Sequence, residues 1–143
     1  MAVKKPLVLG SDGSIEQLQA GDTLDITMPD SSDTILLTMA EPVNMGEVVC
    51  ATASGMVKAD KDDPTKVRVV GIASETIASG DQGNVKIFNQ IGGLSGLTAG
   101  SPVYLDAAGA MSTSVPTSGH AVRLGLALST NDLLIEIAQP IRL

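Results

Sequence analysis

The sequence predicts an all-β protein: a small barrel-like domain built from two related β units, preceded by an extended N-terminal arm. Three observations carry that expectation. Turn signals recur at roughly 8–12-residue intervals, a spacing of short strands rather than of βαβ units. No window of about a dozen residues holds an apolar stripe of helical period; at most a single helical turn fits near residues 11–19 or 91–97. The chain also repeats itself. Residues 46–57 lie over 100–111 at a constant offset of 54, matching Gly46 to Gly100 and Gly55 to Gly109.

Residues 1–33 read as the arm. Lys5-Pro6-Leu7-Val8-Leu9 is a short extended run, because proline lacks the N–H that a central strand position needs but suits an edge. Gly10-Ser11-Asp12-Gly13 is a turn, and Pro29 to Asp33 closes the segment. Arms of this kind pair with a neighbouring subunit's sheet edge; a locally packed terminus is the plainer alternative.

Residues 34–143 read as the β domain. Ile35-Leu36-Leu37-Thr38-Met39 is a strand, and Gly46 opens the next, Val48-Val49-Cys50-Ala51. Turns follow at Ser54-Gly55, Lys61 to Pro64, Ser79 to Gly83, Gly92-Gly93, Ala99-Gly100, Ala108-Gly109 and Asn131-Asp132. The offset of 54 also carries Val70-Gly71-Ile72-Ala73 onto Leu124-Gly125-Leu126-Ala127, and a shorter turn then brings Val85-Lys86-Ile87 onto Ile135-Glu136-Ile137. The repeat thus spans 46–88 and 100–137. Its glycines need no ligand to explain them. Gly46 and Gly100 open strands, Gly55 and Gly109 sit where a hairpin favours positive φ, and Gly71 and Gly125 mark a bulge or close approach inside a strand.

Composition narrows the function. Hydrophobic residues make up 43% of the chain, enough for a core, yet Phe88 and Tyr104 are its only aromatic residues. Aliphatic side chains must fill that core, each burying less area than a ring, so association with other subunits would supply useful burial. The net charge is -7 with only 9 Lys plus Arg, and no basic run is present; nucleic acid and anionic membranes are not expected partners. Apolar stretches fall far short of the ~20 residues a membrane helix needs, and no hydrophobic segment follows Lys4-Lys5 as a secretion signal would. A single cysteine, Cys50, allows no internal disulfide and fits a reducing cytosol.

Reactive groups are scarce. His120, the sole histidine, lies in a loop context and reads as a solvated side chain. One His and one Cys make no zinc site; Asp60 to Asp63 lacks the glycine and terminal glutamate of a calcium loop, and it and the Asp30/Asp33 pair read as solvated acidic loops. Ser95, in Gly93-Leu94-Ser95-Gly96, has the wrong spacing for a nucleophile elbow. Gly92-Gly93 precedes no Lys-Ser/Thr that would hold a phosphate. Cys50, in an apolar strand, reads as an inert core residue. No catalytic residue, cofactor or metal is expected.

With the repeat in view, the chain resembles the phage head-decoration or capsid-cement proteins. Gly46-Glu47-Val48-Val49, Val70-Gly71-Ile72-Ala73, Leu97 to Leu105 and Leu124-Gly125-Leu126-Ala127 carry the resemblance, which covers residues 41–139. It implies a compact β domain of the β-tulip kind that assembles as a homotrimer on the outer capsid surface and bridges subunits of the major capsid protein. It also implies an arm that touches the capsid, for which Leu7, Val8 and Leu9 are the candidate contacts. Similar phrases occur in phage tail fibres, so a receptor-binding module at a bacterial surface is the alternative. A small hydrolase-like or sugar-binding enzyme that depends on His120 is a third.

Overall fold

Short aliphatic runs bounded by Gly, Pro, Asn and Asp become strands because branched side chains pack well on a pleated surface while the punctuating residues turn the chain. The computed structural model describes residues 33–143, together with the backbone of two short strands, β1 (Val8–Leu9) and β2 (Ile15–Glu16), which pair antiparallel. The chain divides into two units, Met1–Ser31 and Ser32–Leu143. Apart from β1, β2 and Asp33, the expected arm lies outside the described residues.

The protein is all-β, with antiparallel sheets throughout. The first five-stranded sheet contains β3 (Thr34–Thr38), β4 (Val48–Thr52), β5 (Gly55–Lys58), β6 (Val69–Ala73) and β7 (Gln82–Lys86), in the order β3-β7-β6-β4-β5. The second contains β8 (Asn89–Ile91), β9 (Pro102–Leu105), β10 (Met111–Ser112), β12 (Arg123–Ala127) and β13 (Leu133–Ile135), in the order β8-β13-β12-β9-β10. Between β10 and β12 in sequence, β11 (His120–Ala121) leaves the second sheet and pairs with the last strand, β14 (Ile141–Arg142). Only Ile87 and Phe88 separate β7 from β8.

Matched in chain order, the two sheets have the same topology, and the match extends to register. Val48 pairs with Ile72, Val49 with Gly71 and Cys50 with Val69. Adding 54 to each residue gives Pro102 with Leu126, Val103 with Gly125 and Tyr104 with Arg123, which are the pairs observed. Both ladders therefore shift at one place, with Val70 and Leu124 as the extra residues. The glycine beside each bulge has a steric reason. A Cβ on Gly71 would collide with the carbonyl oxygen of Lys86, and one on Gly125 with that of Leu134.

Two details differ from the sequence alignment. Val85 lies opposite Ala73, and Leu133 lies opposite Ala127, so the partner of Val85 in the second sheet is Leu133 rather than Ile135. The slip of two residues keeps the same side chains inward, because strands have a period of two. The second hairpin is also wider. Thr52 and Gly55 flank a two-residue turn, Ala53-Ser54, whereas Leu105 and Met111 flank residues 106–110 with a 3-10 turn at Ala107–Gly109.

The first sheet curls until its edges meet. Met39, just beyond β3, bridges Met56 on β5, and the Ala40 N–H donates to the Met56 carbonyl at 2.8 Å. Inside lies one core cluster: Met39, Val43, Val49, Ala73, Ile77 and Val85, with Ile35, Leu37 and Met56 against it. The opposite face of the same sheet, Val48, Cys50, Val57 and Ile72, belongs to a larger cluster with the inner face of the second sheet, including Ile91, Val103, Leu105, Leu124, Leu133 and Ile135. The first sheet is thus buried on both faces. That is why three consecutive residues, Val48, Val49 and Cys50, are all fully buried, whereas β9 alternates between half-buried and buried along Pro102–Leu105.

Candidate interaction surface

The outer face of the second sheet is built by the residues that alternate with its core positions. On β9 these are Pro102 and Tyr104, on β12 Arg123 and Leu126, on β13 Leu134, with Gln90 on β8 and Ser112 on β10 at the margins. Leu126 lies opposite both Pro102 and Leu134, so three apolar side chains form a row across neighbouring strands. Pro102, Tyr104, Leu126 and Leu134 are half-buried and join neither core cluster. Leu128, just past β12, is 45% exposed. Arg123, opposite Tyr104, brings a positive charge to this face, and its Nε is buried without a hydrogen-bond partner among the described residues.

Several ionisable groups away from this face are used locally. The Asp60 carboxylate accepts from the Asp62 N–H at 2.9 Å, and Asp63 accepts from the Thr65 N–H at 2.9 Å and its hydroxyl at 2.7 Å. Those bonds from Thr65 hold the Asp63 carboxyl below its ordinary value. They brace a turn. His120 has Nδ1 at 3.1 Å from the Lys61 carbonyl oxygen, which also accepts the His120 backbone N–H at 2.9 Å. With that geometry Nδ1 is the ring donor, tied to backbone rather than to a carboxylate or hydroxyl. Cys50 is fully buried between the sheets, and burial pushes its thiol up to about 11, away from the reactive thiolate.

Among the described residues, no three His, Cys, Asp or Glu side chains converge. Ser95 lines a shallow groove of about 220 Å³ with Met45, Glu47, Leu94 and Met111. A larger open groove, about 550 Å³, is lined by Arg68, Val69, Ile87, Ile137 and Pro140, with Arg68 its one ionisable side chain. In the groove beside Ser95 the Glu47 carboxylate accepts from the Asn44 N–H at 2.9 Å and lies 3.8 Å from the Lys58 ammonium. What the arrangement offers chemically is apolar area.

Of the residues singled out in the sequence, Leu7 and the side chains of Val8 and Leu9 lie outside the described residues. Gly46, Gly55, Gly100 and Gly109 have φ of +89°, +118°, +81° and +80°. Sequence reasoning missed the outer face of the second sheet. Its signal was present in Leu124-Gly125-Leu126-Ala127-Leu128 and Leu133-Leu134-Ile135, where the positions between core residues are apolar instead of polar.

No curated protein compared with this chain matches it. The family model described as phage cement protein matches residues 18–132, well over half of the sequence. That span takes in both five-stranded sheets except β13, and on it the chain belongs to the phage cement protein family.

Proposed function

We propose that this protein decorates and stabilises a phage head by binding the outer surface of the major capsid protein lattice, as a homotrimer. The observation that carries this reading is the family match over residues 18–132, which gives a structural, capsid-associated role. In this proposal residues 34–143 form the β domain, with the repeat at 46–88 and 100–137, and residues 1–33 form an arm whose Leu7, Val8 and Leu9 touch the capsid. The chain is made in the host cytoplasm and ends on the capsid surface. It catalyses no reaction, takes no cofactor or metal, and uses neither nucleic acid nor membrane as a partner.

Binding works by additive burial. Each contact removes apolar surface from water at roughly 25 cal/mol per Å², and many modest contacts in a closed lattice raise the force needed to separate capsid subunits. The acidic net charge of -7 disfavours contact with packaged DNA.

The test is reconstitution. Heads stripped of this protein are incubated with the purified chain at micromolar concentration, then sedimented and imaged by cryo-microscopy. Saturable binding with density on the head exterior is the expected result. Density at a tail tip, or no binding to heads, overturns the proposal, and the first outcome favours the receptor-binding alternative.

A further inference from the structure

The two units match through the bulge and diverge just beyond it. In the second sheet the chain runs on past β13 beside β12. The Glu136 N–H donates to the Leu124 carbonyl at 2.8 Å, and the Ala138 N–H to the Arg123 carbonyl at 2.9 Å. The counterparts of Leu124 and Arg123 by the offset of 54 are Val70 and Val69. Leu133 corresponds to Val85, so Phe88 and Gln90 hold the places of Glu136 and Ala138. Neither makes the equivalent bond. Phe88 is 49% exposed, Gln90 pairs with Leu134 in the second sheet, and the Ile87 N–H donates to the Asp33 carbonyl at 2.8 Å. Among the described residues, no N–H from the β7–β8 segment reaches the Val69 or Val70 carbonyl.

Burial follows the same difference. Val122 and Leu124 are 0% exposed, whereas at the equivalent places Arg68 is exposed and Val70 half-buried. The open place is the groove of about 550 Å³ between the start of β6, the β7–β8 link and residues 137–140. From this we infer that the groove takes an extended segment of the capsid protein, laid beside Val69 and Val70 as Glu136–Ala138 lies beside Leu124 and Arg123 in the second unit. The inference rests on the capsid reading and adds the site of contact to it. The walls set the chemistry of the segment. Val69, Val70, Ile87, Ile137 and Pro140 receive apolar side chains. Arg68, whose guanidinium has no ion-pair or hydrogen-bond partner among the described residues, selects a carboxylate beside them. A second copy is the poorer source, because its described strands are held in its own sheets.

The experiment uses the full chain and stripped heads. Co-sedimentation measures binding for wild type, Arg68→Glu and, as a control at another exposed arginine, Arg142→Glu. Arg68→Glu is expected to weaken binding at least about ten-fold with an unchanged β spectrum, and the control to change it less than about two-fold. A second readout leaves Arg68 in place. Gln139→Cys, at an exposed residue of the groove, is labelled with a photoactivatable maleimide, while Cys50, 0% exposed, is shielded from it. After irradiation on heads, mass spectrometry is expected to find the capsid protein joined at position 139. Unchanged binding for Arg68→Glu, an equal loss in Arg142→Glu, or links from position 139 only to this chain or to a second copy of it overturns the inference and leaves the capsid proposal standing. A wild type that fails to bind heads overturns both.

Discussion

The two sheets share one frame and differ in what lies on either side of it. The first closes around Met39, Val43, Ile77 and Val85 and also packs its back against its neighbour; the second buries one face fully and leaves the other half-buried. Topology and register therefore do not decide where a strand's second face ends up. Covering loops and neighbours do. Met39, Val43 and Ile77, which fill the first sheet's interior, come from segments just outside its strands.

The sharpest way to break this comparison is to truncate matched residues. Ile72→Ala leaves a hole between the sheets and is expected to cost about 3 kcal/mol, while its counterpart Leu126→Ala, half-exposed, costs about 1 kcal/mol or less in a monomeric background. Urea unfolding of both variants decides it; equal losses would mean that the two faces are equally covered.

A second pair asks whether the frame itself is as similar as the register says. Gly71→Ala and Gly125→Ala each drive a Cβ toward a backbone carbonyl, that of Lys86 or Leu134, and each is expected to cost about 2 kcal/mol. Thermal melts that show one glycine tolerant and the other intolerant would separate the two bulges.

The smallest effect concerns charge. Lys86 lies 3.1 Å from the Asp33 carboxylate, and that contact holds the Asp33 carboxyl below its ordinary value of 3.8. A lowered folded-state value means that the pair stabilises fully above the ordinary value and fades as pH falls through the folded one. Between pH 5 and the acid limit, roughly where paired carboxylates protonate, Lys86→Met should lose less stability than wild type in urea melts. The second sheet, with Leu134 in the matching place, has no such acid-sensitive contact.

Much of this architecture was legible in the chain. Glycines at a constant offset, short aliphatic runs and regular turns gave the all-β class, because each acts locally: glycine through its missing Cβ, branched residues through the pleat. The slip that pairs Leu133 with Ala127 was not legible, since Val85-Lys86-Ile87 matches Ile135-Glu136-Ile137 as well by hydrophobic pattern as by strand period. Nor was the exposed sheet face. Val48-Val49-Cys50 and Leu124-Gly125-Leu126 are both unbroken apolar runs, and only long-range packing determines which is covered on both sides. The candidate contacts in the arm, Leu7, Val8 and Leu9, rest on the sequence alone.

The two-residue link between β7 and β8, Ile87-Phe88, leaves little slack between the sheets. A pull applied to one sheet passes at once to the other, through that link and through the shared aliphatic interior, so the pair resists tension as a single stiff rivet instead of two beads on a string.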